Sequence, residues 1–470
     1  MSPRLSRRQA ERRGLRLWPV GLVLLLAFTA AIVVAAAVFY TGWDLLSARE
    51  LKPERLIDSK TLFDLVKLSF GVVAGAGALV ALVVAYRRQR VDEDGALRDA
   101  TRLHTERFTT AVSQLGDESA AVRLGGVHAL AGLADDAPTR ELRQTCIDVL
   151  CAYLRLPYTA EAELPADDAE ARHSYLALRE VRHTVIRLIR DHLRLPLKHQ
   201  HSWQGHDFDF TGVTFDGGDF SRATFSGGLV SFSGATFSEA RVDFRGATFS
   251  GDVVSFGRAT FSGAKVDFSE ATFSGAGVDF SEATFSGGLV SFGEATFSAD
   301  VVSFRMATFS GGRIGFGEAT FSKGLVSFRG ATFSGGGVDF VGATFSGTGV
   351  DFSEATFSGT GVDFVGATFS GTRISFAGAT FSGARVDFHR ATFSEARVDF
   401  DWATFSGDGI SFGGATFSGT RFDFRAATFS GGAVDFSGVT GPAPSGLVPQ
   451  SRSPLPTGLT LPADWHPTGP

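Results

Sequence analysis

From near residue 208 to residue 440 the chain repeats one 12-residue unit, A-T-F-S-G-x-x-V-[DS]-F-x-x. The tripeptide Ala-Thr-Phe returns every 12 residues, and a second Phe follows seven residues later, as Phe244 follows Phe237. A single unit of this length cannot bury its own apolar side chains, so the repetition predicts a stack of similar coils. The repeat also explains why 470 residues contain 46 Phe and 57 Gly but only 5 Trp and 5 Tyr.

Each Phe of the unit has a smaller apolar residue two positions before it. Ala235 precedes Phe237, and Val242 precedes Phe244. Residues two apart in a strand share a face, so each pair points inward while Thr236 and Ser238 point outward. Coils stacked about 4.8 Å apart would pair their backbones in parallel. We therefore predict an all-β solenoid over residues 201–440.

Two coil lengths are compatible with the period. A 12-residue coil would place two Phe side chains in a narrow tube, and a 24-residue coil would place four Phe, two Val and two Ala in each layer. A Phe side chain buries on the order of 150–250 Å² of surface, which favours the roomier coil. We prefer 24 residues, which gives about nine coils over roughly 43 Å. The near-identity of the copies leaves 12 open.

Two uncharged apolar segments precede the repeat. Trp18–Tyr40 and Leu68–Tyr86 are each long enough, as helices of roughly 20 residues, to cross a bilayer. They predict a transmembrane hairpin within residues 18–90, with helices at about 18–40 and 68–86 and a short external loop. A cleaved signal peptide is the alternative for the first segment. Gly71 and Gly75 form a G-x-x-x-G pattern, which could seat a homodimer contact.

Arginine distribution sets the expected orientation of that hairpin. A basic tail, residues 1–17, precedes the first segment, and Arg87, Arg88 and Arg90 follow the second. The positive-inside rule then places both termini in the cytoplasm and predicts a multi-pass protein of the bacterial inner membrane.

Residues 91–200 change to a helical period. Val122–Leu133, Leu142–Tyr153 and Tyr175–Leu195 carry apolar residues at helical spacing, with Pro138 and Pro157 on either side of the middle helix. We predict an α-helical connector that resembles a HEAT repeat and packs on the end of the solenoid. The last segment, residues 441–470, is rich in Pro and is expected to be disordered.

The repeat resembles that of the pentapeptide-repeat proteins, whose units centre on an inward Leu or Phe with a small residue two before it. Ala-Thr-Phe-Ser-Gly and Val-Asp-Phe-Arg-Gly fit that unit, with two additional residues after every second unit. The resemblance implies a right-handed, four-sided β-solenoid, and the additional residues put the square cross-section in question. The whole arrangement resembles bacterial membrane-anchored pentapeptide-repeat proteins. The segments that carry this likeness are the two-span N-terminus, 107–109 to 124–126, 151–155 and 203–210. No biochemical activity comes with that resemblance.

No catalytic, cofactor-binding or metal-binding residue is predicted. Asp207–Gly212 imitates the start of an EF-hand loop, but the twelfth position is Gly218, where a bidentate Glu is required. His199, His201 and His206 could form a zinc site only with a fourth ligand such as Asp207. Cys146 and Cys151 are too few for a disulfide framework and are expected to be reduced core thiols. The sequence contains no H-E-x-x-H motif.

The sequence therefore predicts a non-enzymatic, membrane-anchored scaffold for an unidentified protein partner, with no cofactor and no nucleic acid. The alternative is an acidic mimic of DNA that acts on a topoisomerase, as some pentapeptide-repeat proteins act on gyrase. The observation behind that alternative is an outward column of aspartates: Asp243, Asp267, Asp279, Asp339, Asp351, Asp363, Asp387, Asp399. Arg and Lys interspersed on the same segment weigh against it.

Overall fold

A computed structural model describes residues 58–465, without 160, 162, 163, 166, 239, 240, 263, 264, 360, 372, 384, 395, 396, 408, 419, 420, 432, 446 and 448–457, together with isolated positions between 25 and 44. The chain divides into two compact units, Met1–Arg102 and Leu103–Pro470. The predicted basic tail lies outside the described residues, and so does most of the first predicted membrane segment.

The membrane predictions are wrong. In the described part of the chain no helix has both the length and the apolar character needed to cross a bilayer. Residues 68–86 lie within one helix, α1 (Ser59–Leu115), that continues without a break into Arg87, Arg88 and Arg90. Glycine and alanine, which contribute little hydrophobicity, occupy much of that segment.

Three further predictions depended on the hairpin and are withdrawn with it. They are the integral two-span membrane association, the multi-pass inner-membrane localisation and the homodimer contact at Gly71 and Gly75. A G-x-x-x-G contact is argued for helices packed in lipid, so the pattern has no such support here. A Cβ added at either glycine would meet nothing within 4 Å.

The three helices predicted in the connector are present. They are α2 (Ala120–Asp135), α3 (Arg140–Leu154) and α4 (Ala169–Arg194). Thr139 accepts a hydrogen bond from Leu142 N at the start of α3, and Asp168 accepts one from Ala171 N at the start of α4. Cys146 and Cys151 are buried and free, as predicted.

Beyond the helices, the chain forms four sheets of parallel strands, visited in the fixed order face 1, face 2, face 3, face 4. The strands of face 1 are Phe208–Asp209, Leu229–Ser231, Val253–Ser255, Gly277–Asp279, Val301–Ser303, Leu325–Ser327, Gly349–Asp351, Arg373–Ser375, Arg397–Asp399 and Arg421–Asp423. The strands of face 2 are Thr214–Phe215, Thr236–Ser238, Thr260–Ser262, Thr284–Phe285, Thr308–Phe309, Thr332–Phe333, Thr356–Phe357, Thr380–Phe381, Thr404–Phe405 and Thr428–Phe429.

The other two faces repeat this alternation. The strands of face 3 are Gly218–Asp219, Val242–Asp243, Lys265–Asp267, Leu289–Ser291, Arg313–Gly315, Val338–Asp339, Val362–Asp363, Val386–Asp387, Gly409–Ser411, Ala433–Asp435 and Leu459–Thr460. The strands of face 4 are Thr224–Ser226, Thr248–Ser250, Thr272–Phe273, Thr296–Phe297, Thr320–Phe321, Thr344–Phe345, Thr368–Phe369, Thr392–Ser394 and Thr416–Ser418. Val-containing strands thus form faces 1 and 3, and Thr-Phe strands form faces 2 and 4.

Strand register confirms the β-solenoid and the 24-residue coil. Thr236 pairs with Thr260, and Val242 pairs with Val266, so each strand meets its equivalent 24 residues later. The first coil is two residues shorter on face 2, where Thr214 pairs with Thr236. The two residues added after every second five-residue unit therefore do not prevent a four-sided coil.

Four columns of Phe side chains fill the solenoid. Phe333 stacks on Phe309 and on Phe357 with ring centroids 4.7 and 4.8 Å apart and the rings nearly parallel. Rings from faces 1 and 3 meet edge to face across the interior, as in Phe256 and Phe268, 5.4 Å apart at 88°. Ring contacts within a column therefore join neighbouring coils, and contacts between columns join opposite faces.

The turns that follow faces 1 and 3 require a left-handed residue. In each turn the amide after the turn donates to the Phe carbonyl, as Ala247 N does to Phe244 O at 2.9 Å. The residue before that Ala has positive φ whether it is Gly, as Gly330 (φ 64°), or not, as Met306 (φ 58°). Glycine adopts this conformation without a Cβ clash, whereas the Arg, Glu, Met, Trp and Ala residues at this position in other coils carry the cost of that clash.

Part of the C-terminal segment is folded, contrary to the expectation of disorder. The strand Leu459–Thr460 pairs with Ala433–Asp435 on face 3, and Ser445 pairs with Asp423 on face 1. Trp465 is buried against Phe417 and Phe436 and donates its indole N–H to Gly441 O at 3.0 Å. These residues cover the last coil and take the place of a further one.

Replacing a stacked ring should destabilise the solenoid strongly. We expect Phe333→Ala to lower the free energy of unfolding by about 3–5 kcal/mol, since Phe333 is only 2% exposed and its loss opens a cavity. Thr332→Ala is the control, because the outward side chain should change stability by less than about 1 kcal/mol. Urea unfolding followed by circular dichroism measures both, and equal losses would contradict an inward Phe core.

The turn geometry makes a separate prediction. We expect Gly330→Ala to cost about 1–2 kcal/mol, although the nearest atom to an added Cβ, a Met306 carbon, is 3.7 Å away. Gly315→Ala is the control, because Gly315 does not have positive φ and an added Cβ meets nothing within 4 Å. That control should gain about 0.4–1 kcal/mol from a less flexible unfolded chain. The same urea experiment distinguishes them, and a neutral Gly330→Ala would refute the strained turn.

Candidate functional site

The outward aspartates of the repeat have a structural role in the turns. Asp243 accepts a hydrogen bond from Arg245 N at 2.9 Å, and Asp279 accepts one from Ser281 N at 2.9 Å. Serine replaces aspartate in several coils and accepts the same bond, as Ser255 does from Gly257 N at 3.2 Å. The column therefore satisfies a backbone amide at each turn, which is sufficient reason for a short polar side chain there.

Outward side chains vary on two faces and not on the other two. From Thr224 onward, the strands of faces 2 and 4 show the same Thr-Phe-Ser sequence in coil after coil. The residue before Val, which begins most strands of faces 1 and 3, ranges over Leu, Val, Gly, Lys and Arg, and the two turn residues after the second Phe vary as well. Because the fold needs only the shared positions, faces 1 and 3 carry the sequence differences that recognition could use.

Face 3 contains a groove of about 560 Å³ where two consecutive coils lack a side chain in this variable column. Arg313 and Arg385 stand at its two ends, and Gly337 and Gly361 lie between them. Arg313 pairs with Asp339 at 3.3 Å, and Arg385 pairs with Asp387 at 2.9 Å. A Cβ at Gly337 would meet only Gly361 O at 3.9 Å, so the fold does not require glycine there.

Between those two ion pairs, Asp363 accepts a hydrogen bond from Val365 N at 2.8 Å. Burial, together with the nearby charges of Asp387 and Asp339, raises the pKa of Asp363 above its usual value. The groove thus presents a carboxylate at its centre and guanidinium groups at its ends, an arrangement suited to polar contacts rather than to chemistry.

The helices cover the first coil and hydrogen-bond its backbone. Gln144 in α3 both donates to Asp207 O and accepts from Asp207 N, each at 2.9 Å, as a neighbouring strand would. Arg155 donates to Asp209 O at 3.2 Å, and Arg194 donates to Ser221 O at 2.7 Å. Helical side chains thus replace the missing preceding coil and protect an open sheet edge.

A buried polar cluster joins α4 to this coil. Asp216, whose side chain is 6% exposed, accepts hydrogen bonds from Tyr158 and Tyr175 and pairs with Arg179 at 3.1 Å and His183 at 3.3 Å. Burial would raise the pKa of Asp216, but the hydrogen bonds from His183, Tyr158 and Tyr175 outweigh it and hold that pKa well below its ordinary value. A carboxylate so fully bonded serves to fasten the helices to the solenoid.

Arg182 completes this junction from within the buried face of α4. It donates to Leu154 O at 2.8 Å and to Thr214 O at 2.6 Å, and it lies 4.1 Å from the Tyr158 ring centroid. The apolar spacing used to predict this helix gave Arg182 no role. Arg182 lies three residues before Val185 and directly after Val181, on the apolar side of the helix. That position was the signal that could have indicated a buried contact.

The residues considered as a zinc site do not converge. The His199 and His201 rings lie 5.4 Å apart, whereas His206 is buried and bonds to Trp203 O at 3.2 Å. Asp207 accepts from Leu229 N at 2.8 Å. Within the described ranges, no group of three or more His, Cys, Asp or Glu side chains is placed to hold a metal ion.

One cysteine–histidine pair is present but is not arranged for nucleophilic catalysis. Cys146 Sγ lies 3.9 Å from His104 Nε2, and both side chains are buried. Burial raises the pKa of the Cys146 thiol to about 11 and lowers the pKa of His104. The thiol is therefore protonated near neutral pH, whereas a catalytic cysteine needs its thiolate.

The sequence profile for pentapeptide repeats matches residues 210–256, 252–296, 323–368 and 340–392, with nine copies of the repeat. Over these residues the solenoid is similar to pentapeptide-repeat proteins. Its coil consists of two Ala-Thr-Phe-Ser-Gly units and two Val-[Asp/Ser]-Phe units, separated by the two added residues. No curated protein and no solved structure matches the chain significantly.

Removing the Asp216 charge should loosen the helices from the solenoid. We expect Asp216→Asn to lower the free energy of unfolding by about 2–3 kcal/mol at pH 7, since bonds to a buried charge are lost. A carboxyl whose pKa is depressed in the folded state stabilises above its unfolded pKa of about 3.9 and loses that contribution as pH falls. The difference between wild type and variant should therefore shrink below about pH 4.

Chemical unfolding at pH 7, 5 and 3 measures this effect. Asp219→Asn is the matched control on the same coil, because its side chain is 45% exposed and bonds to Arg190 in the same helix. Because Asp219 is half exposed, this pair should contribute about 1 kcal/mol or less. Equal losses in the two variants, or a pH-independent loss at Asp216, would refute the buried fastening role.

Proposed function

We propose that the protein is a non-enzymatic interaction scaffold whose pentapeptide-repeat solenoid recognises protein partners through faces 1 and 3. One observation carries the proposal: outward variation is concentrated around these two faces, whereas faces 2 and 4 keep Thr and Ser in coil after coil. The inward Phe, Val and Ala side chains are buried in the core and cannot contact a partner. A long surface of fixed geometry with varied side chains is how solenoid proteins bind extended partners.

On this proposal the groove of face 3 is the centre of partner recognition. Its end arginines and central carboxylate provide contacts of both signs, and the missing side chains at positions 337 and 361 provide room for a partner's side chain. Such a groove gives orientation and specificity through polar complementarity.

The outward aspartates do not favour the topoisomerase alternative. A mimic of DNA requires a continuous acidic surface, but the aspartates of faces 1 and 3 cap turns and many pair with arginine, as Asp339 and Asp387 do. The resulting surface alternates in sign along the coils.

Site-specific photocrosslinking in cells tests the scaffold. A photoreactive amino acid at position 313 or 385 of face 3 should give discrete adducts with other proteins. The same residue at position 332 or 356 of face 2 should give none, because those columns are uniform and lie a quarter-turn away. Adducts from position 385 should also weaken when Arg313, at the other end of the groove, is changed to Ser. Equal adducts on both faces, or none on either, would refute the proposal.

A further inference from the structure

Face 1 carries a line of exposed apolar residues across five consecutive coils. Leu229, Val253, Gly277, Val301 and Leu325 occupy the same strand position and pair in register from coil to coil. The four side chains are between 42% and 53% exposed. Later coils carry Arg373, Arg397 and Arg421 in the same column, so the fold tolerates charge at this position.

The order of these residues is the same from either end: Leu, Val, Gly, Val, Leu. The outward residues two positions later also read symmetrically, as Ser231, Ser255, Asp279, Ser303 and Ser327. Both columns are therefore symmetric about the coil that contains Gly277 and Asp279. A two-fold interface between identical chains requires such self-complementarity, because residue i must meet residue j while j meets i.

We propose that face 1 binds face 1 of a second copy of this chain, with the two solenoids antiparallel and the two-fold axis at the coil of Gly277. Leu229 then packs on Leu325 of the partner subunit, and Val253 packs on Val301 of the partner subunit. Coils in the two copies have the same spacing, so every contact along the column stays in register.

Gly277 fits the position at the axis. A Cβ there would meet nothing within 4 Å, and Gly277 does not have the positive φ that would call for glycine. The fold therefore leaves a side chain optional at this point. Without one, the two backbones can approach most closely where they cross.

The arginines decide between parallel and antiparallel pairing. In a parallel pair about a shared axis, Arg373, Arg397 and Arg421 would lie near the same arginines of the partner, which is unfavourable. With the axis at Gly277, Arg373 is four coils away, whereas the first strand of face 1 is only three coils away on the other side. The arginines of each copy then extend beyond the partner's first strand.

The contact is weak by its size. Seven shared coils at about 4.8 Å and a strand width of roughly 10 Å bury a few hundred Å² per copy, less than the roughly 800 Å² of a stable interface. Asp279 opposes it further, because it meets its own copy at the axis. The dimer should thus form at high local concentration. The dimer uses face 1, opposite the groove of face 3, and so does not depend on the different protein proposed to bind that groove.

Sedimentation velocity of the purified full-length protein over a wide concentration range tests the proposal. We expect a concentration-dependent monomer–dimer equilibrium, with Leu325→Arg raising its dissociation constant roughly tenfold or more. Leu289→Arg, at the same repeat position on face 3, should leave the equilibrium unchanged. Asp279→Ser should strengthen the dimer, since Ser occupies the equivalent position in the four neighbouring coils. Thermal melts confirm that each variant is folded.

A charge exchange tests the antiparallel arrangement itself. Leu229→Arg alone should weaken the dimer, and Leu229→Arg combined with Leu325→Glu should restore it, because each Arg then meets a Glu of the partner subunit. In a parallel dimer the double variant would bring like charges together and be weaker than either single variant. A protein that stays monomeric throughout, a dimer weakened equally by Leu289→Arg, or a double variant that is not restored would overturn the proposal.

Discussion

The stacking of Phe rings from coil to coil is the interaction on which the solenoid depends. Ring centroids 4.7–4.8 Å apart match the spacing of hydrogen-bonded parallel strands, so one geometry satisfies both the backbone and the side chains. Edge-to-face contacts between faces 1 and 3 tie the columns together. A Phe at every equivalent position lets this stacking continue without a break from coil to coil.

A stack of identical coils has two unpaired ends, and this chain covers both with segments outside the repeat. At the first coil, Gln144 binds the backbone of Asp207 as a strand would, and the Asp216 cluster fastens α4. At the last coil, Leu459–Thr460 adds a strand and Trp465 covers Phe417 and Phe436. Covered ends prevent the edge-to-edge association that an open parallel sheet would invite.

With the interior and the ends committed to folding, recognition is left to the outward positions. The turn-capping role of Asp and Ser explains their repetition without reference to a partner. What remains free is the first position of faces 1 and 3 and the adjoining turns. The symmetric apolar column of face 1 and the charged groove of face 3 lie on opposite sides of the solenoid, so the proposed dimer and the proposed protein partner would not compete for one surface.

The sequence alone determined the repeating core, because a strict 12-residue period with alternating Phe allows only one inward set of side chains. It also indicated the three helices through their apolar spacing. The apolar segment 68–86 misled the prediction of a membrane span, because no helix of the described residues has both the length and the apolar character to cross a bilayer. The roles of Arg182, Asp216 and Trp465 also escaped the sequence analysis.

Only the tertiary structure decided which of two coil lengths the repeat adopts. Because the units are near-identical, the sequence pattern matches equivalent strands at an offset of 12 residues as well as at 24. It also placed Gly337 beside Gly361 and Leu229 in line with Leu325, positions distant along the chain. Local pattern specifies what points inward. Which distant residues become neighbours depends on the number of residues in one coil, and that number is set by how four Phe rings fill a common layer.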